Sequence, residues 1–203
     1  DLAPRVAAGI AGLIGAHADE VAVADSTSVN LFKLLGIALR LQPSRRTILT
    51  ETGNFPTDRY VAEGLAGGTG EHRLRSRDRE RLAADPASAI DDDTAVLTLS
   101  HVDYRSGAMH DLARITAAAH ARGALVLWDL AHSTGAVPVD LSAAQADFAV
   151  GCGYKYLNGG PGAPAFVWAH PRHADRFWQP LSGWMGHASP FEFSSDYRPA
   201  AGI

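Results

Sequence analysis

Short apolar runs alternate along the chain with longer segments in which apolar residues recur every three or four positions. Such short runs are typical of buried strands, and strands are predicted at 21–24, 47–50, 95–99, 124–128, 148–150 and 165–168. A further strand is predicted at 71–76. Helical spacing occurs at 5–16, 29–41, 60–65 and 110–122, and a short helix capped by Asp85 is predicted at 86–91. Strands that are apolar throughout predict an α/β fold with a mainly parallel sheet covered by helices on both faces.

Polar or aromatic side chains directly follow several of the predicted strands. Ligands of such sheets bind outside the carboxyl ends of the strands, so residues that follow different strands gather in one crevice. The sequence places at these ends the hydroxyl-rich turn 25–28, Phe55, Ser100, Asp129 and Lys155. We therefore expect one ligand site along this edge of the sheet.

The turn 25–28, which contains Thr27 and Ser28, leads directly into a predicted helix. Free backbone N–H groups and the helix dipole favour an anion such as phosphate at this position. The alternative is that one of the hydroxyl groups only caps the helix.

Lys155 lies in the glycine-rich segment 151–162, where glycine at this density predicts a turn rather than a helix. Partial desolvation in a crowded loop lowers a lysine pKa and frees an amine that attacks aldehydes. This chemistry points to pyridoxal phosphate (PLP), although a surface lysine in a glycine turn is the alternative. Asp129 suits a second requirement of PLP, since a buried carboxylate keeps the pyridine nitrogen protonated.

The composition narrows the function classes. The chain has 203 residues, 46% of them hydrophobic and 20% charged, which is ordinary for a globular protein. A formal net charge of −4 argues against nucleic acid as a partner, and the sequence predicts no membrane segment. Its one cysteine, Cys152, excludes an internal disulfide and favours a cytoplasmic setting. The nine histidines lack paired ligand spacing, so no metal site is predicted.

Domain organisation follows from where the periodicity ends. Residues 1–176 are predicted to form a cofactor-binding domain, whereas the Trp-, Gly- and Pro-rich residues 177–203 lose their periodicity. We expect residues 177–203 to begin a substrate loop or linker toward a further C-terminal domain. The absence of an initial methionine and the loop-like end suggest a segment of a longer protein.

Four short motifs are distinctive when they are taken together. They are Phe55-Pro56-Thr57-Asp58, Asp129-Leu130-Ala131-His132, Tyr154-Lys155-Tyr156-Leu157-Asn158 and Gly183-Trp184-Met185-Gly186-His187. With these motifs the chain resembles kynureninase, a PLP-dependent family of the aspartate-aminotransferase fold class, from about residue 25 to residue 187. The resemblance implies a PLP-transferase large domain.

The resemblance also implies a role for each matching residue. Lys155 would hold PLP covalently, and Tyr154 would contact the phosphate and take part in proton transfer. Thr27 and Ser28 would contact the phosphate. Phe55 would stack on the cofactor ring, with Pro56 and Thr57 beside it and Asp58 supporting it. The remaining implied contacts are Ser100, Asp129 at the pyridine nitrogen with His132 nearby, and Trp184.

The activity implied by the resemblance is hydrolysis of L-kynurenine or 3-hydroxykynurenine to anthranilate or 3-hydroxyanthranilate and L-alanine, a step of tryptophan catabolism. The family forms two-fold homodimers, and its C-terminal domain supplies the arginine that binds the substrate carboxylate. We therefore expect the 203-residue chain to be inactive alone.

Other classes of protein remain as alternatives. A related PLP aminotransferase or a cysteine desulfurase would share the fold and the pairing of Lys155 with Asp129. A desulfurase needs a mobile catalytic cysteine, whereas Cys152 is fixed beside the lysine loop, and those enzymes commonly stack a histidine where Phe55 stands. A non-enzymatic NAD-binding module would require Gly-x-Gly-x-x-Gly, but the run 21–28 has no glycine.

Overall fold

A computed structural model describes residues 2–178 and 180–200 of the chain. Its strands are β1 (Val21–Val23), β2 (Thr47–Glu51), β3 (Arg73–Arg77), β4 (Thr94–Ser100), β5 (Leu125–Asp129), β6 (Phe148–Cys152) and β7 (Ala165–Ala169). Its helices are α1 (Leu2–Ile14), α2 (Thr27–Leu41), α3 (Pro56–Thr69), α4 (Arg79–Ala84), α5 (Pro86–Ala89) and α6 (Leu112–Ala121). Short 3₁₀ turns are found at Ala18–Glu20, Pro171–Arg176, Trp184–Gly186 and Pro190–Glu192.

The strands form one sheet in the order β1-β7-β6-β5-β4-β2-β3. β3, β2, β4, β5 and β6 run parallel to one another, whereas β7 is antiparallel to both β6 and β1. The predicted fold class, a mainly parallel sheet, is therefore confirmed. β7 reverses direction because residues 153–164 connect it to β6 without a helix, and a parallel connection needs a long crossover.

Alternate residues of the central strands pack into two separate cores, one on each face of the sheet. Val126 and Trp128 of β5 face the core formed with α1, α5 and α6. Leu127, between them in sequence, faces the core formed with α2 and α3. Side chains of a strand alternate between the two faces, so strands buried on both sides must be apolar throughout. This pattern accounts for the unbroken apolar runs in the sequence.

Several predicted boundaries differ from the observed ones, mostly at helix ends. α1 begins at Leu2 and ends at Ile14, rather than spanning 5–16, and α4 was not predicted. α6 begins two residues later than predicted because the Asp111 side chain accepts a hydrogen bond from the Arg114 N–H at 2.9 Å and caps the helix. The predicted cap at Asp85 is confirmed by the Ser88 N–H, which donates to Asp85 Oδ1 at 3.2 Å.

The described part of the segment 177–203 contains two 3₁₀ turns and no α-helix or strand. It packs on α2, where the Arg40 guanidinium lies 5.2 Å from the ring centre of Trp178. Residues 179 and 201–203 of the predicted linker lie outside the described residues. The division into a domain at 1–176 and a linker thus stays a prediction.

Among the described residues, none of the helices combines the length and the apolar character needed to cross a membrane.

Candidate active site

The loop that carries Lys155 leaves the carboxyl end of β6 and folds back on itself. Its turns are closed by hydrogen bonds from the Asn158 N–H to the Lys155 carbonyl at 3.0 Å and from the Gly159 N–H to the Gly153 carbonyl at 2.9 Å. A Cβ atom at Gly153 would lie 2.5 Å from the Pro164 carbonyl oxygen, so the close approach requires glycine. The expected turn is confirmed, and it leaves Lys155 partly buried.

The Lys155 amine lies among three of the predicted site residues. Its Nζ atom is 2.9 Å from Nε2 of His132, 5.4 Å from the ring centre of Phe55 and 5.6 Å from that of Tyr154. Burial, followed by the positive charge of Lys155, lowers the pKa of His132 below its ordinary value. A neutral His132 imidazole accepts a hydrogen bond from the lysine ammonium.

Asp129 is the last residue of β5 and pairs in register with Ser100, the last residue of β4. The residue is only 3% exposed, and its Oδ1 atom accepts a hydrogen bond from the Ala131 N–H at 2.7 Å. Within 2–178 and 180–200, no ion pair joins this carboxylate to a cation. Burial raises the pKa of Asp129, since removal from water disfavours the charged form.

A second buried carboxyl group, that of Asp58 in the first turn of α3, contacts Asp129. Burial and then the neighbouring Asp129 charge raise the pKa of Asp58 well above its usual range. When Asp58 is protonated, its carboxyl group can donate a hydrogen bond to Asp129, and Asp58 accepts one from the Ser100 hydroxyl at 3.5 Å. The larger rise at Asp58 favours one proton on the pair, held by Asp58, with the negative charge on Asp129.

Asn54 organises this part of the site, and sequence reasoning missed it. Its buried side-chain oxygen accepts hydrogen bonds from the Ser100 N–H at 3.1 Å and the Phe55 N–H at 2.9 Å. Its amide donates to the Thr50 hydroxyl at 3.0 Å. These bonds fix Phe55 relative to β4. The only signal in the sequence was the position of Asn54 in the polar turn that follows β2.

Pro56 and Thr57 form the start of α3, directly after Phe55. Both are partly buried, and Pro56 is at the first helical position, where its missing N–H costs no hydrogen bond. They set the direction in which α3 carries Asp58 toward Asp129.

The turn at the start of α2 contains one hydroxyl group that caps the helix and two that do not. Ser26 is the cap, because its hydroxyl accepts a hydrogen bond from the Val29 N–H at 3.3 Å. The hydroxyl groups of Thr27 and Ser28 have no partner among the described residues. The Asp25 carbonyl accepts a hydrogen bond from the Ala165 N–H at 3.0 Å, which holds the turn at the edge of the sheet where the lysine loop ends. The first turn of α2 is therefore available to an anion.

Trp184 lies away from this cluster in the single chain. It is 52% exposed and stacks on Phe193, with ring centres 5.5 Å apart, and on the edge of Phe191 at 5.8 Å. No contact in the described part of the chain joins it to Lys155 or Asp129. The structure thus brings together the predicted site residues from β4, β5, α3 and the lysine loop but not Trp184.

Gly135, three residues after His132, occupies a position that requires glycine. It adopts a φ of +83°, and a Cβ atom there would lie 2.9 Å from the Tyr156 carbonyl oxygen. The segment after β5 thereby packs closely against the lysine loop, which keeps His132 beside Lys155.

These features fit a pyridoxal phosphate. A buried carboxylate without a cationic partner suits the pyridinium nitrogen, and a partly buried amine suits the aldehyde. The hydroxyl groups of Thr27 and Ser28 at the start of α2, which have no partner among the described residues, suit the phosphate. Phe55, whose ring centre lies 5.4 Å from the amine and 5.1 Å from that of Tyr104, suits the aromatic ring of the cofactor.

Comparison with known proteins places the chain in a family. The chain belongs to the aminotransferase class-V family, whose model matches residues 4–186. Within that class it is similar to kynureninases, as the motifs predict. It is 54% identical to the kynureninase of Pseudomonas fluorescens over 100% of this chain and 49% of the relative, and 56% identical to that of Deinococcus radiodurans over 99% and 48%. The chain spans about half the length of these curated relatives.

Solved structures agree on the fold. The chain superposes on a cysteine desulfurase from Thermococcus onnurineus with a TM-score of 0.78 and 22% identity, over 98% of this chain and 49% of that one. It superposes on a complex of the cystine C-S lyase C-DES with cysteine persulfide with a TM-score of 0.77 and 18% identity, over 100% and 53% of the two chains.

The shared proton of the carboxyl pair predicts a pH dependence of stability. The folded protein binds one more proton than the unfolded chain between the ordinary pKa of aspartate and the raised pKa of Asp58. Its free energy of unfolding therefore falls through that window as pH rises, by up to about 1.4 kcal/mol per pH unit. Asp58→Asn keeps the hydrogen bond to Asp129 without a titrating proton, so it should flatten this decline relative to wild type.

Urea unfolding measured from pH 4 to pH 8 checks this expectation. The exposed Asp92, replaced by Asn, serves as the control and should retain the wild-type slope. Equal slopes in wild type and Asp58→Asn would show that the pair holds no extra proton.

Proposed function

We propose that the chain is the cofactor-binding part of a PLP-dependent kynureninase, which hydrolyses L-kynurenine or 3-hydroxykynurenine to anthranilate or 3-hydroxyanthranilate and L-alanine. The observation that carries the proposal is that the Lys155 amine, 2.9 Å from His132, lies at the same edge of the sheet as the buried carboxylate of Asp129, which forms no ion pair among the described residues. Identities of 54–56% to kynureninases supply the substrate class.

Each part of the cofactor has a proposed partner in the chain. Lys155 holds it covalently, Asp129 faces its pyridine nitrogen, and Phe55 stacks on its ring. Thr27, Ser28 and Tyr154 bind the phosphate. When bound, PLP withdraws electrons from the substrate and makes the proton on Cα acidic.

The side chains of the chain then handle protons. The Lys155 amine takes the proton from the substrate Cα, and neutral His132 accepts a hydrogen bond from the resulting ammonium. Burial raises the pKa of Tyr154, so its phenol stays protonated and serves as a proton donor near the amine. In the net reaction water adds across the Cβ–Cγ bond. Its hydroxyl forms the carboxyl group of anthranilate, and a proton on Cβ completes alanine.

Cys152 is not placed to serve as the mobile cysteine that a desulfurase requires. Cys152 is the one cysteine in the sequence, is 3% exposed, and lies with Sγ 3.7 Å from the Ala131 carbonyl oxygen. A desulfurase needs a cysteine that reaches the substrate sulfur, and a buried strand residue lacks that freedom. Cys152 is instead a small residue of the core.

The proposed assembly is a cytoplasmic two-fold homodimer in which both subunits contribute to each site. Such sharing would account for the distance between Trp184 and Lys155 within one chain. In this proposal residues 1–176 form the cofactor-binding domain, and residues 177–203 lead to a further domain that binds the substrate carboxylate. The 203-residue chain alone is proposed to be inactive.

Product analysis tests the proposed reaction. The full-length protein loaded with PLP is incubated separately with L-kynurenine, 3-hydroxykynurenine and L-cysteine. We expect anthranilate fluorescence or 3-hydroxyanthranilate together with an equal amount of alanine from the kynurenines. Sulfide from cysteine, without alanine from either kynurenine, would assign the chain to the desulfurases instead.

Replacement of Lys155 tests the proposed attachment. Lys155→Ala should lose the adduct that borohydride reduction fixes to the protein and should lower turnover by at least about 10³-fold, because both the covalent link and the proton acceptor are gone. Lys33→Arg, at the other lysine of the chain, should retain both. Mass spectrometry locates the adduct, and an adduct that persists in Lys155→Ala would refute the assignment.

A further inference from the structure

Residues 101–110 form a short projecting loop directly after Ser100 of the candidate site. The two ends of the loop are joined by a hydrogen bond from the His110 N–H to the His101 carbonyl at 3.0 Å. A bridge between Val102 and Met109 and a bond from the Asp103 N–H to the Ala108 carbonyl at 2.9 Å continue the pairing. The loop therefore has a fixed shape.

Buried charges fix the base of this loop to the sheet. Glu51, the last residue of β2, is 1% exposed and accepts hydrogen bonds from Arg79 at 2.7 Å and His110 at 2.9 Å. Arg79 also donates to the Ala108 carbonyl at 2.7 Å. A buried carboxylate with two partners holds its surroundings firmly, since the loss of either partner would leave an uncompensated charge.

Hydrogen bonds at the protein surface also restrain the tip of the loop. Arg105 donates a hydrogen bond to the Gly53 carbonyl at 2.9 Å, and its guanidinium lies 5.0 Å from the ring centre of Tyr104. The Asp103 carboxylate accepts from the N–H groups of Arg105 and Ser106 at 3.0 and 2.8 Å. Tyr104 is thus carried on a rigid support.

The support places the Tyr104 ring at the edge of the candidate site. Its ring centre is 5.1 Å from that of Phe55 in an edge-to-face arrangement and 6.3 Å from that of His132. The side chain is 41% exposed, and its hydroxyl group has no partner in the part of the chain that the structure describes. Phe55, His132 and Tyr104 therefore form an aromatic wall that extends outward from the Lys155 amine.

We propose that Tyr104 contacts the substrate and selects for an aromatic side chain, with the Glu51-anchored loop holding its ring in place. This inference rests on the proposed function, and it names the residue that recognises the aryl group of an aryl-ketone amino acid. A ring against Tyr104 gains edge or offset stacking, and the free hydroxyl is available to a polar substituent of that ring.

Ligand binding to the full-length holoenzyme distinguishes recognition of the aryl group by Tyr104 from a general effect of Tyr104 on ligand binding. Anthranilate supplies the aromatic half of the proposed substrate and is followed by its own fluorescence. L-Alanine supplies the aliphatic half and is followed by cofactor absorbance. Tyr104→Ala should raise the dissociation constant of anthranilate about tenfold, the scale of one lost aromatic contact, and leave that of L-alanine within about twofold. Tyr104→Phe should restore anthranilate binding to within about threefold.

Met109→Ala is the control, because Met109 is an exposed residue of the same loop that contacts none of the three rings. It should leave both dissociation constants unchanged. Equal weakening of both ligands by Tyr104→Ala, or no weakening of either, would overturn the proposal, as would a wild-type protein that binds no anthranilate. Should wild type bind anthranilate yet form none from kynurenine, the proposed reaction would fail while the comparison of variants still decides the role of Tyr104.

Discussion

The buried carboxylate of Asp129 is the constraint on which the rest of the site depends. A carboxylate removed from water costs several kcal/mol unless it is paired or hydrogen-bonded, so its surroundings must offset that cost. Among the described residues the Ala131 N–H, the nearby His132 and Lys155 and the Asp58 carboxyl group offset part of that cost, but no cation forms an ion pair with the carboxylate. The site is therefore arranged to receive a positively charged group beside Asp129, which is what a pyridinium supplies.

The reversal of the chain between β6 and β7 gathers the remaining parts of the site. Because residues 153–164 form a loop without a helix, β7 runs antiparallel and its first residue lies at the carboxyl edge of the sheet. β1 pairs antiparallel with β7, so β1 ends at the same edge and α2 begins there. The lysine loop and the free hydroxyl groups of Thr27 and Ser28 thus meet at one edge, as a ligand with an aldehyde and a phosphate requires.

Periodicity in the sequence was sufficient to predict the strands, the two-sided burial and the strand ends that carry Asp129 and Lys155. It was not sufficient for features that depend on register or on hydrogen-bond partners far apart in the chain. The pairing of Asp58 with Asp129, the role of Asn54 and the loop that carries Tyr104 are of this second kind. The direction of β7 was missed for a related reason, since an apolar run of five residues reads the same in either direction. The kynureninase motifs pointed to Asp58 without indicating that its carboxyl group pairs with that of Asp129.

The central claim is that Asp129 holds a protonated pyridine nitrogen, and the ¹⁵N NMR shift of that nitrogen tests it most directly. The full-length protein is loaded with PLP labelled with ¹⁵N in the ring, and the spectrum is compared with that of Asp129→Ala. The account predicts the shift of a pyridinium in the wild-type protein at neutral pH and a move toward the neutral pyridine in Asp129→Ala. A neutral pyridine nitrogen in the wild-type protein would contradict the account.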